Sequence, residues 1–473
     1  MVKETAFEWI EKNEGRIIEI SDKIWEFAEL GLKEFKSSAL LASELERHGF
    51  KVERGVAGMP TAFVATWGEG KPVIGIMGEY DALPGLSQKP IPRKEPLVEG
   101  APGHGCGHNI HGASGMAAAI AVKIAMEKHG LKGTIKFFGC PAEENFSGKV
   151  FMVRDGVFDG VDAVISHHPG TMNAATLKSS LANYSVKFHF YGVSSHAAGA
   201  PEAGRSALDA VELMNIGVNY LREHVIQEAR IHYVIEKGGT QPNIVPDYAR
   251  SWYLIRAPER EQVEEIYQRI LDIAKGAALM TGTRHKVEFI KGVSNKIPNR
   301  VICDLIVKNM REIGSPKYTE EDLEFAREIA KTIPKEQKIR QLQKSGRTDW
   351  EKLVDKLLDD EFPDPWGDGK VSYGSTDVSD VSWIAPTVEF STATWVLGTA
   401  AHTWQAVAQS ASGLGHKSLI FAAKVMAATA LDLLTKPEIL QAAKEEHKRR
   451  LRGRRYKPPI PPDLKPPLDI WER

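Results

Sequence analysis

A catalytic metal centre needs sulfur, imidazole or carboxylate donors gathered by a backbone that can turn sharply. Residues 103–112, GHGCGHNIHG, offer that combination, with one of the three cysteines and three of the fifteen histidines set between glycines. Cys106 and His108 stand two apart, flanked by His104 and His111. A thiolate and an imidazole at this spacing can reach one metal ion from a turn, because glycine tolerates the backbone angles that make them converge. The competing assignment is a helix cap whose histidines bond to backbone groups. It suits one such histidine better than Cys-Gly-His with two more beside it, and donors elsewhere in the chain decide between the two.

Such donors recur where apolar runs end. PVIGIMG (72–78) leads into GEYDALPGL, which places Glu79 and Asp81 at a strand end; an Asp before Leu-Pro is equally a turn-former. TIKFFGC (134–140) delivers PAEEN with the adjacent carboxylates Glu143 and Glu144. Neighbours on a regular strand point apart, so one would bind metal while the other faced a bound water. A buried strand at 163–166 ends in His167 and His168; alternation offers one of them to a common site, and His168 is the expected one. His416 lies between a Gly-Leu-Gly turn and an apolar helix. Cys106, His108, Glu144, His168 and His416 are thus the candidate metal ligands. Mixed donors with carboxylates to spare suit a hydrolytic site with open positions, not a closed structural zinc. A metal brings the pKa of its water to about 7 in favourable sites, and Glu143 suits the general base that takes that proton.

The elements that must position these groups indicate an α/β chain with a second, α+β unit inserted in it. Residues 1–180 alternate helical patterns, including an alanine-rich helix at 113–126, with short apolar strands covered on both faces. From 181 to 293 the pattern changes to strands of alternating polarity and two amphipathic helices in the order β-α-β-β-α-β, a ferredoxin-like sandwich. Residues 294–473 resume the first unit, with a charged helical insertion at 316–368, expected on the surface, and a basic, proline-rich tail at 444–473. An extended strap suits that tail better than a nucleic-acid arm, since aromatic residues are sparse in it. The 61 basic and 62 acidic residues cancel to a net charge of -1, with no global pull toward nucleic acid or anionic lipid. Few cysteines, a charged beginning and no run of eighteen apolar residues lead to the expectation of a cytoplasmic protein without a membrane span.

The motifs EYDALPGL, GHGCGHNIHG, PAEEN, HHPG, GVSSHAAGAPEAGRSALDA, QPNIVPD and GHK, in that order along nearly the whole chain, resemble the dinuclear metallopeptidases and amidohydrolases that include carboxypeptidase G, aminoacylase and auxin-conjugate hydrolases. Residues 402–427, HTWQAVAQSASGLGHKSLIFAAKVMA, are most similar to the branch acting on aminobenzoyl-glutamate. The resemblance implies a catalytic domain with a central mixed sheet, a ferredoxin-like lid and dimerisation domain, and two divalent metal ions per subunit. Manganese is favoured by it, with zinc or cobalt as alternatives; the cysteine alone would suggest zinc. It makes Cys106, His108, Glu144, His168 and His416 the ligands and Glu143 the base. Where the family has His-x-Asp this chain has Glu79-Tyr80-Asp81, so that first ligand is absent and Asp81 supports from behind. His196 would polarise the scissile carbonyl, and Asn243 and Arg256 would hold the free carboxylate of a small-molecule substrate. The implied assembly is a homodimer whose inserted domains complete each other's sites, and some members need a companion subunit. The expected activity is hydrolysis of N-acyl or N-aroyl amino acids, with dipeptides, aryl amides or aromatic amines as alternative substrates.

Overall fold

In the computed structural model, which describes residues 1–472, the strands belong to two main sheets and one short ladder. The first strands in chain order are β1 (Lys51–Arg54), β2 (Phe63–Glu69), β3 (Val73–Glu79), β4 (Gly133–Cys140), β5 (Ala163–Gly170) and β6 (Ser179–Ser180). They are followed by β7 (Ala182–Tyr191), β8 (Arg230–Lys237), β9 (Tyr248–Ala257), β10 (Arg284–Val293), β11 (Val371–Ser372) and β12 (Thr387–Ala393). The central sheet has the order β1-β2-β4-β3-β5-β12, with β4, β3, β5 and β12 parallel and β1 and β2 antiparallel at one edge.

Successive residues of the parallel strands feed opposite cores. Ile74, Ile76, Phe137 and Ile165 pack into one cluster, while Met77, Phe138 and Val164 pack into another. Burial on both faces is why these strands are short unbroken apolar runs. One core is centred on two long helices, His108–His129 and Gly413–Thr435, with shorter helices packed around them. The second is long and apolar enough to cross a membrane, but most of it is buried inside the fold. The first begins at His108, five residues before the alanine-rich run. It can lie directly on β3 because Gly112 and Gly115 carry no side chain; a Cβ there would stand 2.7 and 2.8 Å from the Glu79 and Met77 carbonyl oxygens.

The second sheet, β10-β7-β9-β8, is antiparallel throughout. Helices Ala207–Leu221 and Arg260–Thr281 pack on one of its faces, which is the ferredoxin-like arrangement. The opposite face carries Asn183, Leu254, Arg256, Lys291 and Val293 toward the carboxyl edge of the central sheet, where all five line a cavity with Glu143 and Glu144.

Two other segments brace that edge. In the insertion, helices Glu320–Lys331 and Lys335–Ser345 lie beside the loop that follows β12, and Gln337 and Gln341 donate to the Gly398 and Thr399 carbonyls at 3.0 and 2.9 Å. The insertion is knotted together by Arg347, 2% exposed, whose guanidinium meets Asp349, Asp359 and Glu361 at 2.6, 2.7 and 3.1 Å. The tail crosses the surface as an extended segment after helix Pro437–Leu451. Tyr456 Oη donates to Asp380 at 2.9 Å and Trp471 Nε1 to the Gly31 carbonyl at 2.8 Å, with the Trp471 ring edge-on to Phe146.

Removing one member of a buried ion pair leaves the other charge uncompensated. Arg347→Met should therefore lower the unfolding free energy by about 3–5 kcal/mol, seen as a fall in the urea midpoint. Arg311→Met, whose partner Asp364 is at the surface, should cost at most about 1 kcal/mol. Equal losses in the two variants would refute this account of the insertion.

Candidate active site

β3, β4, β5 and β12 end at one edge, and their carboxyl ends carry the candidate groups into one place. Glu143 and Glu144 are not on a strand. They open a helical turn, Glu143–Phe146, bracketed by Ala142 at φ 59° and Ser147 at φ 57°, two left-handed residues without the freedom of glycine. Three buried carboxyl groups hold this strained turn and the start of the helix after it by backbone N–H groups. Glu34 accepts from Ala142 N at 2.8 Å, Asp81 from Glu144 N at 3.0 Å and Asp377 from Lys149 N at 2.9 Å. Burial, with Asp81 nearby, pushes the Glu34 carboxyl up to about 8.

The turn still separates the two glutamates. Glu144 faces Cys106 and His402, and His402 Nε2 lies 3.2 Å from Cys106 Sγ and 3.4 Å from Glu144 Oε2. Burial opposes ionisation of Glu144, but the His402 hydrogen bond and the nearby His108 and His402 charges outweigh it and hold the carboxyl at about 2. Glu143 faces Glu79 and His108 instead. Burial and then the charges of Glu79, Asp377 and Glu144 drive its carboxyl well above the usual carboxylate range, a shift that cations bound nearby would oppose.

His108 is oriented by Asp81, whose Oδ1 accepts from Nδ1 at 2.8 Å; Nε2 is left buried without a hydrogen-bond partner among the described residues. His168 places Nδ1 2.8 Å from the Pro169 carbonyl, while His167 turns to the other side of β5, with Thr392 Oγ1 2.8 Å from its Nε2. His104 is spent on the Ile24 carbonyl and His111 on Glu79 N and Ser166.

His416 does not join the others. Helix Gly413–Thr435 starts three residues before it, so His416 lies in the first helical turn, and its Nε2 bonds Asp22 Oδ1 at 2.8 Å. His402 stands with Cys106 and Glu144 in its place, on a loop residue at φ 60°. It opens the stretch 402–427 singled out for its resemblance, but no strand-end pattern marks it as a donor, because it follows no apolar strand directly and is set there by long-range contacts.

Lys149 is a second group that the motifs did not single out. Its ammonium is fully buried, 2.5 Å from Glu79 Oε1 and 2.6 Å from Asp377 Oδ1. Glu79 Oε2 in turn lies 3.2 Å from His108 Nε2. A carboxylate thus occupies the position where the resemblance implied no donor. Burial works against the charges of both Glu79 and Lys149, yet their pairing keeps Glu79 well below the ordinary carboxylate range and Lys149 well above that of lysine.

Three sets of donor atoms lie within 4.8 Å of one another: Cys106, His108 and His168; Cys106, Glu144 and His402; and Glu79, His108 and Glu143. The first two share the Cys106 sulfur. Among the described residues Glu144 Oε1 is buried without a hydrogen-bond partner and His108 Nε2, though 3.2 Å from Glu79 Oε2, makes no hydrogen bond; a cation would engage both atoms, so these residues fit a metal pair. Beside them opens a cavity of about 250 Å³ lined by Glu143, Glu144, Arg256, Lys291, Asp377 and His402 among others. Arg256 donates to the Tyr373 carbonyl at 3.3 Å.

The other two groups assigned from the resemblance lie elsewhere. His196 and Asn243 are exposed on adjoining loops of the second sheet's unit, joined by a bond from Ala197 N to the Asn243 carbonyl at 3.0 Å. His196 Nδ1 accepts from Gly199 N at 2.9 Å, which leaves Nε2 as the protonated, outward nitrogen. Neither residue lines the cavity of its own chain.

Residues 75–434 match the family described as Peptidase family M20/M25/M40. The chain belongs to this family. Its members are metal-dependent peptidases and amidohydrolases that act on carbon–nitrogen bonds. The chain is 42% identical over 97% of its length, and 97% of the relative's, to the B subunit of p-aminobenzoyl-glutamate hydrolase from Escherichia coli strain K12. It is 29% identical over 95% of its length to the mouse Xaa-Arg dipeptidase, 93% of which is covered. The fold is that of an aminobenzoyl-glutamate utilization protein from Klebsiella pneumoniae (TM-score 0.59, 17% identity, 90% of this chain and 97% of that one). It is also that of a dinuclear metal-binding M20 peptidase from Bacillus subtilis (TM-score 0.56, 18% identity, 90% and 99%).

Two outcomes test this M20 site. His402→Ala should weaken metal binding by about 10–100-fold or more, taking the loss of a supporting residue as the lower bound. His416→Ala should leave metal content unchanged, both read by metal analysis after dialysis; the reverse ranking would restore His416. Lys149→Met should destabilise by about 3–5 kcal/mol in chemical denaturation, because it strands Glu79 and Asp377 as unpaired buried carboxylates. A loss below about 1 kcal/mol, the size of a surface pair, would show that the lysine is dispensable.

Proposed function

We propose that this chain is a homodimeric amidohydrolase that uses two divalent metal ions in each protomer, with manganese favoured over zinc or cobalt, to cleave N-acyl or N-aroyl amino acids such as aminobenzoyl-glutamate. The observation that carries the proposal is the pair of donor triads sharing Cys106, with Glu143 beside them and Arg256 across the same cavity. Cys106, His108 and His168 would hold one ion, and Cys106, Glu144 and His402 the other. Bound there, the ions supply Lewis-acid polarisation and a more acidic water.

The chain's own groups do the rest. Asp81 fixes the His108 ring through Nδ1 and keeps Nε2 turned to the metal side. Glu143, raised in pKa by burial and like charges, takes the proton of the attacking water and returns it to the leaving nitrogen. Arg256 presents a planar guanidinium fork to the substrate carboxylate. His196 donates from Nε2 to the developing oxyanion. Its exposed position, away from the cavity of its own chain, suits action on the site of a second protomer, as does that of Asn243 as a carboxylate ligand. The E. coli relative is one of two differently named chains of its hydrolase, which supports testing a companion chain as partner. The likeness to an Xaa-Arg dipeptidase makes dipeptides the second substrate class to try.

The decisive experiment is hydrolysis of a panel of N-acyl and N-aroyl amino acids and Xaa-Arg dipeptides by metal-stripped protein refilled with manganese, zinc or cobalt. Aminobenzoyl-glutamate should be cleaved on metal restoration, and Glu143→Ala should lose about 10²–10⁴-fold in kcat. Cleavage of Xaa-Arg dipeptides instead would transfer the assignment to the second class. Metal binding without cleavage of any substrate would refute an autonomous hydrolase.

A further inference from the structure

The cavity beside the metal donors contains more positive charge than one carboxylate needs. Lys291 reaches it because of an irregularity in β10. Up to Phe289 this strand pairs regularly with β7, Phe289 opposite Val186, but the next partner of Ser185 is Lys291, so Ile290 is an extra residue. Val186 belongs to the helix-packed core, whereas Asn183 lines the cavity; Ser185, two residues after Asn183, shares its face. Without the bulge, residue 291 would stand opposite Tyr184 and point into that core. The bulge turns Lys291, and Val293 after it, to the cavity face.

Once there, the ammonium forms no ion pair with a carboxylate among the described residues. Its one direct polar contact among them is the Glu144 carbonyl, at 3.5 Å. Glu144 is taken up by His402, and Asp377 by Lys149. On β9, separated from β10 by β7, Arg256 has a single hydrogen bond among the described residues, to the Tyr373 carbonyl, and its Nε is buried without a partner among them. Asn183, opposite Arg256 in the register, has a buried Oδ1 that accepts no hydrogen bond among the described residues and is open to a donor. Glu143, Glu144 and Asp377 line the same half-enclosed space and act on Lys291 at a distance, but none of them is in ion-pair contact with either cation among the described residues, so a bound anion would give both a direct partner. The space, about 250 Å³, is below the roughly 300–1,000 Å³ of pockets that enclose drug-sized ligands, and suits an amino-acid moiety.

We propose that Lys291 and Arg256 form a two-cation subsite for an amino acid with two carboxylates, Arg256 taking the α-carboxylate and Lys291 the side-chain carboxylate of a glutamate or aspartate on the leaving side of the scissile amide. This rests on the amidohydrolase assignment above and narrows its substrate class. It also places a cation where the side chain of a leaving arginine would lie, which disfavours Xaa-Arg dipeptides.

The test compares 4-aminobenzoyl-glutamate with 4-aminobenzoyl-glutamine, equal in shape and different in charge, on the metal-loaded full chain. The kcat/KM ratio of glutamate to glutamine substrate should be about 30-fold or more in the wild type, as expected for a desolvated charge pair. It should collapse toward unity in Lys291→Met and stay in favour of glutamate in Lys291→Arg. A purely structural lysine would depress both substrates together and preserve the ratio, and that result overturns the proposal. So does a wild type indifferent to the charge. If neither substrate is cleaved, the amidohydrolase assignment fails separately, and the subsite is judged by calorimetry with free glutamate and glutamine. Tighter glutamate binding that disappears in Lys291→Met upholds it, and equal binding of the two overturns it.

Discussion

One buried ammonium lets the carboxyl edge of the central sheet exist at all. Glu79, Asp81 and Asp377 are buried together with the half-buried Glu143 beside them, and unpaired carboxylates there would be protonated or would open the structure. Lys149 Nζ sits between Glu79 and Asp377 and neutralises much of that charge. Because Glu79 ends β3, Lys149 opens the helix after the catalytic turn and Asp377 belongs to the segment before β12, the same contact ties together the two halves of a catalytic unit that the inserted domain separates in sequence. The carboxylates that remain are occupied as clamps. Asp81 aligns the His108 ring with one oxygen and the Glu144 backbone with the other, and Glu34 and Asp377 pin the ends of the same turn.

That turn explains how adjacent glutamates take different roles without a strand to alternate them. Left-handed Ala142 and Ser147 compress the chain into a single helical turn, which points Glu144 at Cys106 and His402 and Glu143 at Glu79 and His108. The environments then part: Glu144 has hydrogen bonds that favour its charge, Glu143 has burial and like charges that oppose it. Neighbouring carboxyl groups whose environments push their pKa values apart can divide the work of holding a cation and carrying a proton.

What was legible in the sequence follows from range. Strands β3, β4 and β5 declare themselves as apolar runs, so the donors at their ends, Glu144, His168 and the Cys106–His108 pair beside them, could be named from local pattern. The order of strands and helices in the inserted unit was equally local, since alternation and helical periodicity change sharply at its borders. His402 was hidden because its approach depends on a left-handed backbone and on helices of the 316–368 insertion pressing on Gly398 and Thr399. His416 misled because a histidine after a glycine turn looks the same whether it precedes a helix or already lies in its first turn. Lys149 did leave a trace, a lysine directly before the apolar run Val150–Val153, but its meaning depended on Glu79 and Asp377, remote in sequence. Lys291 depended on a one-residue bulge, which no periodicity reveals.

The two sheets divide the electrostatics of the cavity between them. The parallel strands of the central sheet end in a cluster of sulfur, imidazole and carboxylate donors whose orphaned atoms call for cations. The open face of the antiparallel sheet presents Arg256 and Lys291, whose unpaired groups call for anions. A molecule with a neutral amide at one end and carboxylates at the other is aligned by this opposition before any close contact is made, amide toward the metal donors and carboxylates toward the sheet. Since the cations ride on the inserted unit and the donors on the flanking halves of the chain, orientation and chemistry depend on how closely those two parts approach. The strands that enter and leave the inserted unit, β7 and β10, carry Asn183 and Val293 at the cavity wall itself. A shift of the unit about its own connections would therefore move the anion-binding groups directly against the catalytic turn.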